Sequence, residues 1–370
     1  MSEDGGAGTR TPVVAGVPGP VEVVGVGLLG ASIGLACRRA GLEVLLRDVN
    51  DDHVRTASGL GAGRAVRPGD VPALVVVAVP PDHLAVEVGR ALDRVRDVPG
   101  AVVTDVGSVK SGPLHALAAH PGLARYVGGH PMAGSERSGP LAATAVLFDG
   151  RPWAVAPHPA SAPDATAVVE ALALLCGGVP VRLTPEEHDQ AVARTSHVPH
   201  LLASVVAARL AEAPGSHLAL SGQGVRDVTR VAAGDPVLYG QIVSANADAV
   251  VALLGEVRAD LDRVIAAVAG ADRPGLEEVL GRGAAGTRAI PGKHGGPARP
   301  VRTVHVSVPD HPGELARLFA DAGRSGVNIE DVRIDHDPGR PVGLVELVVE
   351  EVGAEHLRES LESRGWLTHR

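Results

Sequence analysis

Several side chains that can move protons stand in short segments rich in glycine and proline. His130 lies in GGHPMAGSERSGP, where glycine and proline on both sides predict a loop that holds the histidine in place. Because histidine titrates near neutral pH, this setting favours a catalytic role over that of an ordinary loop histidine. Ser108, in TDVGSVKSG, is a second candidate, with the N-cap of a helix as its alternative role.

A later segment adds histidines and arginines at helical spacing. His197 and His200 in EEHDQAVARTSHVPH lie three residues apart, so a helix or tight turn places them on one side. No HExxH motif or cysteine ligand accompanies them, and we therefore predict no metal site. In GVRDVTRVAAGDP, Arg226 and Arg230 share a helix face, on which Asp227 can pair with Arg230. A solvated charged face is the alternative, but flanking valines favour a segment that faces inward in part.

A glycine motif near the N-terminus predicts a dinucleotide site. GVGLLG joins a strand-like run to a helix-like run, and its three glycines allow a tight turn, close approach of a pyrophosphate and close helix–strand packing. Asp48 ends the next strand, where a carboxylate grips a ribose hydroxyl and repels a 2′-phosphate, so NAD is favoured over NADP. The adjacent Arg47 weakens that preference, and a glycine turn without a ligand is the alternative. The predicted cofactor-binding residues are Gly25, Gly27, Leu28, Leu29, Gly30, Asp48 and Pro80.

The elements that must position these residues alternate between strand and helix. VEVVGVG, LEVLLRD, ALVVVAVPP and GAVVTDVGS are typical of buried parallel strands, and WAVAP and VPVRL of later strands in the same sheet. Ligands of such sheets bind outside the carboxyl ends of the strands, where Pro80, Ser108 and His130 fall with the glycine loop. We therefore predict a Rossmann-type, doubly wound α/β domain over residues 20–183, after a disordered tail over residues 1–19.

The remainder of the chain predicts two further domains. TPEE at Thr184 offers a capping box, and the helical period that follows predicts an all-α substrate and dimerisation domain over residues 184–292. A Gly/Pro/basic linker covers residues 293–301. Residues 302–370 have the order β-α-β-β-α-β, which is the ferredoxin-like arrangement.

Composition narrows the class of protein. A net charge of −9 without a basic run argues against nucleic-acid binding. Cys37 and Cys176 are the only cysteines and are expected to be reduced and buried, as in a cytoplasmic protein. The acidic N-terminus lacks the apolar region of a signal peptide, and no apolar run is long enough to span a bilayer. We expect a soluble, intracellular protein that does not bind membranes.

The motifs together resemble the prephenate/arogenate dehydrogenases of tyrosine biosynthesis. GVGLLGASIG, VAVPP, TDVGSVKSG, GGHPMAGSERSG, HDQAVARTSHVPH and RDVTRVAAGDP occur in the order expected of that family, from about Val21 to Gly292. The resemblance implies an NAD-dependent oxidative decarboxylation, in which a ring alcohol loses a hydride, carbon dioxide leaves and the ring becomes aromatic. It also implies a homodimer formed through the helical domain. Prephenate is the expected substrate and L-arogenate the alternative.

The resemblance assigns roles to individual residues. His130 matches the histidine that helps to remove the proton of the ring hydroxyl, and Ser108 the serine that orients both groups. An alcohol oxidation needs such a base near neutrality, which agrees with histidine at this position. Arg230 matches the arginine that binds the side-chain carboxylate of the substrate, a group that arginine grips bidentately.

Four further positions are implied to line or gate the substrate pocket. Glu136 matches an acid that can pair with the arginine and gate the site, and Asp227 would support the arginine. His200 and His197 match histidines that line the pocket. This chain departs from the usual pattern at Val225, where members often carry Phe, and at Tyr239, where they often carry Trp.

The last unit resembles an ACT domain, with PDHPGELARL and GVNI at the expected places. This resemblance implies a feedback ligand, for which we expect L-tyrosine. The implied contact residues are Asp310, Gly313, Asn328 and Ile329. A purely structural or dimerising domain is the alternative.

Two other functions fit parts of the sequence. A β-hydroxyacid dehydrogenase would share the plan of a Rossmann domain followed by helices, but it would be expected to use a lysine on a helix of the second domain. This chain has no lysine between Lys110 and Lys293, which argues against that class. A non-catalytic regulator that senses NAD and an amino acid would keep the fold but would lack the residues needed for catalysis. The presence of His130, Ser108 and Arg230 together argues against it.

Overall fold

The computed structural model describes residues 13–134, 138–290, 300–336 and 342–369. Contacts between residues divide the chain into two compact units, residues 1–259 and residues 260–370. The division falls inside the long helix Ala247–Ala269.

The first unit is built on an eight-stranded sheet, preceded by a two-stranded hairpin. The hairpin consists of β1 (Val13–Val14) and β2 (Val17–Pro18), and the sheet of β3 (Val21–Val24), β4 (Val44–Arg47), β5 (Arg64–Ala65), β6 (Leu74–Val77), β7 (Val102–Asp105), β8 (Tyr126–Pro131), β9 (Pro152–Ala156) and β10 (Val179–Arg182). The spatial order of the sheet is β10-β9-β8-β7-β6-β3-β4-β5. Neighbours are parallel except β8 and β9, which run antiparallel. A parallel pair needs a crossover element, and the described part of the β8–β9 connection holds turns but no helix longer than the 3₁₀ turn Pro140–Ala142.

The hairpin corrects one prediction about the N-terminus. Residues 1–19 were expected to be disordered, but residues 13–18 form paired strands and Val17 is fully buried in the main core. Burial of a valine side chain contributes roughly 1.5–3 kcal/mol, which favours an ordered chain here. Residues 1–12 lie outside the described residues.

Helices cover both faces of the sheet. They are α1 (Leu28–Arg39), α2 (Asp51–Gly59), α3 (Pro81–Arg94), α4 (Ser111–Ala116) and α5 (Pro163–Leu175). Along β6, Val76 packs into one layer while Val75 and Val77 pack into the other, and all three are fully buried. This two-sided burial explains why the strands are continuous apolar runs.

A helical region completes the first unit. It contains α6 (Pro185–Val192), a π-helical turn (Ala193–His197), α7 (Val198–Ala211), α8 (Gly215–Leu218), α9 (Gln223–Thr229), α10 (Pro236–Ala245) and the beginning of α11 (Ala247–Ala269). The predicted capping box is present: the Thr184 hydroxyl accepts from the Glu187 N–H, and the Glu187 carboxylate accepts from the Thr184 N–H. No residue in the range 204–241 is buried. Within the described ranges no single helix is long and apolar enough to span a membrane. Only the pair α10 and α11, bent by 95° at their junction, reaches that length and apolar composition when the two helices are taken together.

The second unit holds the rest of α11, α12 (Arg273–Arg288) and a segment of mixed strands and helices. That segment runs β11 (Val301–Pro309), α13 (Glu314–Arg324), β12 (Ile329–His336), β13 (Val342–Glu350), α14 (Glu351–Glu362) and β14 (Leu367–His369). Its sheet is antiparallel throughout, in the order β12-β13-β11-β14. One face carries a core formed by Val306, Leu347 and Leu357 with their neighbours. Most of the predicted linker lies outside the described residues.

Candidate active site

The glycine loop between β3 and α1 has the geometry of a phosphate site. Gly25 has a φ of +91°, and a Cβ there would overlap the carbonyl of Ala78. A Cβ on Gly30 would overlap the carbonyl of Gly25, so the third glycine lets helix and strand approach closely. At Gly27 a Cβ would meet no described atom within 4 Å. The loop is thus closed towards the sheet and open at the N-terminus of α1, where a pyrophosphate would bind.

Asp48 lies where the ribose contact was predicted. Its Oδ2 accepts from the Val26 N–H at 2.6 Å and its Oδ1 from the Asn50 N–H at 2.9 Å, which ties the carboxylate to the glycine loop. Arg47 Nε donates to the buried Glu22 carboxylate at 2.5 Å. This arginine is therefore engaged with Glu22 rather than turned to the ribose site, and the Asp48 carboxylate favours NAD.

The remaining candidates lie on the other side of the glycine loop. Pro80 follows β6 and precedes α3, Ser108 lies in the loop after β7, and His130 lies at the end of β8. In the sheet β8 is three strands from β3, or about 14 Å at the usual spacing between strands. A dinucleotide held between the loop and Asp48 can therefore extend its nicotinamide end towards His130.

His130 is the start of a hydrogen-bonded chain of side chains. Its Nδ1 lies 2.9 Å from Nε2 of His188, and Nδ1 of His188 lies 2.8 Å from Oδ1 of Asp189. The two imidazole rings meet edge to face, with centroids 5.1 Å apart. His188 and Asp189 are only 1% and 5% exposed. Neither residue is among those predicted from the sequence, although two titratable neighbours just after a capping box were the available signal.

Asp189 also joins α6 to the loop after β7. Its two oxygens accept from the N–H groups of Lys110 and Ser111, both at 2.8 Å, and so cap α4 from a distant part of the chain. Ser108, whose alternative role was that cap, does not make it, since the N-cap of α4 is Lys110. The Lys110 ammonium is buried against Asp105, which also accepts from the Tyr126 hydroxyl.

Burial favours the neutral form of His130 and His188, the two histidines of the hydrogen-bonded chain. It lowers the pKa of His130 well below the ordinary value, and repulsion from His188, Lys110 and His197 adds to the effect. Burial also lowers the pKa of His188, although the hydrogen bond with Asp189 opposes the shift. Burial opposes the charge of Asp189, but its hydrogen bonds with His188, Lys110 and Ser111 outweigh this and lower its pKa. A neutral imidazole beside a carboxylate is an arrangement that can accept a proton.

His197 and His200 have different neighbours despite their spacing. Nδ1 of His197 lies 3.1 Å from Nδ2 of Asn246, and burial lowers the pKa of His197 to about 4. The His200 ring stacks on Tyr239, with centroids 3.4 Å apart and planes at 5°. Its buried Nδ1 has no partner among the described residues. Gly234 packs against both rings, because a Cβ there would lie 2.9 Å from Tyr239 and 3.1 Å from His200.

Arg230 lies at the end of α9 rather than in the middle of a helix. α9 stops at Thr229, and Arg230 begins the short 3₁₀ turn Arg230–Ala233. The predicted pairing of Asp227 with Arg230 is not among the ion pairs of the described residues; Asp227 Oδ1 instead accepts from Gln223 Nε2 at 2.8 Å. Arg226, Asp227 and Arg230 are all exposed.

Comparison with known proteins places this site in a family. The nucleotide-binding domain of prephenate dehydrogenase matches residues 33–183, and the dimerization domain of prephenate dehydrogenase matches residues 184–282. The chain belongs to the prephenate dehydrogenase family. The matched regions hold His130, His188 and Arg230, and they end before β11.

Individual relatives agree with the family assignment. A Streptomyces niveus protein named "Probable prephenate dehydrogenase NovF" is 38% identical over 93% of this chain and 98% of its own. A crystal structure of prephenate dehydrogenase from Aquifex aeolicus, in complex with hydroxyphenyl propionate and NAD+, is 25% identical with a TM-score of 0.65, over 73% of this chain and 98% of its own. Synechocystis arogenate dehydrogenase is 25% identical with a TM-score of 0.62, over 72% and 98% of the two chains.

Family membership fixes the class of enzyme and its cofactor. The protein is an NAD-dependent dehydrogenase, and its glycine loop and Asp48 fit the dinucleotide. Glu136, the expected gate of this family, lies outside the described residues. Ser108 is partly buried in the loop after β7, the strand that neighbours β8, but the described side-chain contact of His130 is with His188, so the orienting role of Ser108 stays a prediction.

The predicted effector residues lie at opposite ends of the second sheet. Asp310 and Gly313 follow β11, whose last residue, Pro309, pairs with Val342. Asn328 precedes β12, whose first residue, Ile329, pairs with Val349 at the other end of β13. Seven residues of β13 separate the two pairings, which is about 24 Å. A single copy of this unit does not bring the four residues together.

Proposed function

We propose that this enzyme converts prephenate to 4-hydroxyphenylpyruvate in tyrosine biosynthesis by oxidative decarboxylation. The observation that carries the proposal is the place of His130. His130 is a partly buried, neutral histidine at the carboxyl ends of the parallel strands, the same edge of the sheet at which the glycine loop lies. In the strand order it lies on the opposite side of the glycine loop from Asp48. A base at that position would lie near the nicotinamide end of a dinucleotide bound between the glycine loop and Asp48.

The residues of the site support the proton-transfer half of this reaction. Bound NAD accepts the hydride that leaves the carbinol carbon. His130 receives the hydroxyl proton, so the carbon–oxygen bond gains carbonyl character as the carbon–hydrogen bond breaks. Loss of the ring carboxylate as carbon dioxide then returns an electron pair to the ring, which becomes an aromatic phenolate. Protonated His130 returns its proton to the phenolate oxygen, which gives the phenol and restores the neutral histidine. A histidine with a depressed pKa is unprotonated, and therefore able to act, at neutral pH.

The helical region supports binding of the substrate side chain. Arg230 offers a guanidinium cation, whose planar geometry can bind both oxygens of a carboxylate. His200 offers a buried nitrogen without a described partner, next to the Tyr239 ring. An unpartnered buried nitrogen costs free energy until it finds a hydrogen bond, which a bound substrate would provide.

L-Arogenate is the second candidate substrate, because it carries the same ring and carboxylate. The test is NADH formation by the purified protein with each substrate in parallel, with NADP as a further cofactor. We expect turnover of prephenate with a higher kcat/KM than that of arogenate, and preference for NAD. A higher value for arogenate would reassign the substrate, and turnover of neither would overturn the proposed function.

A homodimer is supported by the helical region itself. The matched family region is described as a dimerization domain, and residues 204–241 contain no buried residue in a single chain. Helices of this kind gain most of their stability from packing, so a second copy would stabilise them. Sedimentation at several protein concentrations should give the mass of a dimer, and a monomer at all of them would contradict it.

Residues 302–370 of the second unit are proposed to form a ferredoxin-like ACT domain that binds L-tyrosine. Its β-α-β-β-α-β order and its sheet order support that assignment. Because Asp310 and Asn328 lie about 24 Å apart along one sheet, a site that uses both would form between two copies. Tyrosine inhibition should weaken at least tenfold in both Asp310→Ala and Asn328→Ala. Unchanged inhibition in both variants would place the effector elsewhere.

A further inference from the structure

His188 and Asp189 have no part in the function proposed above, yet His188 contacts its base, His130, and Asp189 contacts His188. Both lie in α6, and His188 reaches across 58 residues of sequence to His130 on β8. Both are buried, and their side chains are fully engaged with one another and with the loop after β7. A buried chain of this kind restricts where each proton can lie.

The direction of each hydrogen bond follows from the carboxylate at its end. Ionised Asp189 has only acceptors, so Nδ1 of His188 must donate to Oδ1. In a neutral imidazole the other nitrogen is then an acceptor, and Nε2 of His188 must accept from Nδ1–H of His130. The proton of His130 is thus held on Nδ1, and its Nε2 carries a free lone pair.

We propose that His188 and Asp189 are positioning residues that hold His130 in the tautomer whose Nε2 can take the substrate proton. This inference rests on the proposed function of His130 as the base. In the other tautomer Nε2 would carry a hydrogen and would present a donor to the hydroxyl, so proton removal could not occur. The edge-to-face contact of the rings also fixes the orientation of the His130 imidazole.

A purely structural role is the competing explanation. Asp189 caps α4 through the N–H groups of Lys110 and Ser111, and its peptide oxygen accepts from Asn246 Nδ2 at 2.8 Å. That role requires Asp189 but makes no use of the contact between His188 and His130. The two explanations therefore differ in what they predict for substitutions at His188 alone.

Two amide substitutions at His188 separate the explanations. In His188→Gln the amide group occupies the place of Nε2, so its oxygen can still accept from His130 while its NH₂ faces Asp189. In His188→Asn the amide occupies the place of Nδ1, so the contact with Asp189 is kept and that with His130 is lost. We expect kcat to fall about 10²-fold in His188→Asn and less than about tenfold in His188→Gln, with KM for NAD and substrate nearly unchanged in both.

His158→Gln is the matched control. His158 is also buried in the first unit, and its Nε2 lies 3.1 Å from the carbonyl oxygen of Tyr126, away from the site. We expect kcat to stay within about twofold of wild type. Thermal unfolding of all three variants would show whether any loss of activity follows loss of the fold.

Histidine-selective ¹⁵N NMR of the NAD-bound wild-type protein tests the tautomer directly, without turnover. The expected spectrum shows His130 protonated on Nδ1 and not on Nε2, with a mixture of tautomers in His188→Asn. Protonation on Nε2 in the wild type, or equal kcat in the Asn and Gln variants, would overturn the inference while leaving the proposed function intact. Failure of the wild type to turn over either substrate would instead overturn the proposed function.

Discussion

The two halves of the candidate site differ in how the chain holds them. On the proton-transfer side, His188, Asp189 and Lys110 are each at most 5% exposed, and each has a partner at hydrogen-bond distance. On the carboxylate-binding side, Arg230 is exposed and lies in a range, residues 204–241, that buries none of its residues.

This difference separates chemistry from binding. The base is positioned by strands and helices that one chain packs completely, so its geometry and pKa are set by the fold. The arginine is carried by short helices whose burial a single chain does not provide, so substrate or a second copy must complete their surroundings. We therefore expect substitutions in the first half to change kcat, and substitutions in the second half to change KM.

His130→Asn should have the largest effect. Asparagine keeps a polar group near the place of Nδ1 but removes the basic nitrogen, so kcat should fall about 10²-fold or more with little change in KM. Steady-state kinetics with prephenate measure both constants, with His158→Asn as a control for the loss of a buried histidine. Near-normal kcat would remove His130 from the mechanism.

Arg230→Ala should have the next largest effect, and on the other constant. Loss of a charge-assisted contact costs roughly 1.5–3 kcal/mol, which corresponds to a rise in KM of about 10- to 150-fold. Arg226→Ala is the matched control, since Arg226 is equally exposed and only four residues away. If the two variants raise KM alike, the effect is one of surface charge and the assignment of Arg230 is wrong.

The glycine loop and its acid could be predicted because their requirements are local. Gly25 must adopt a positive φ, Gly30 must allow two backbones to approach closely, and Asp48 must lie at the end of the next strand. Each requirement selects particular residue types within a short segment, so it can be recognised in the sequence. The same holds for the capping box at Thr184, whose two hydrogen bonds span three residues.

The partners of His130 could not be predicted because they come from far along the chain. His188 is 58 residues away, and Asp189 meets the Lys110 N–H across 79 residues. Nothing near His130 in the sequence indicates which element packs over it. The predicted pairing of Asp227 with Arg230 failed for a related reason: spacing assumed one continuous helix, whereas α9 ends at Thr229.

Gly234→Ala should have a smaller effect, confined to the binding half. A methyl group at Gly234 would press on Tyr239 and His200 at 2.9 and 3.1 Å, so the stacked rings must shift. We expect KM to rise about three- to tenfold with kcat within about twofold, because the base is untouched. Gly224→Ala, where a Cβ meets no described atom within 4 Å, should leave both constants unchanged. A loss confined to kcat in Gly234→Ala would place these rings in the proton-transfer half.

The dependence of activity on pH should show the smallest effect and the clearest contrast between the halves. Burial lowers the pKa of His130, so the neutral, base-competent form persists as the pH falls and is lost only when the pH drops through that lowered pKa. A histidine with the ordinary pKa of 6.5 would keep only about a quarter of its neutral form at pH 6.0. We therefore expect kcat to remain near its plateau at pH 6.0 and KM to be flat from pH 6 to 8, since arginine stays charged throughout. Initial rates across that range measure both constants. A halving of kcat at pH 6.5 would mean that the base has the ordinary pKa of a histidine in water, and that the fold does not shield it.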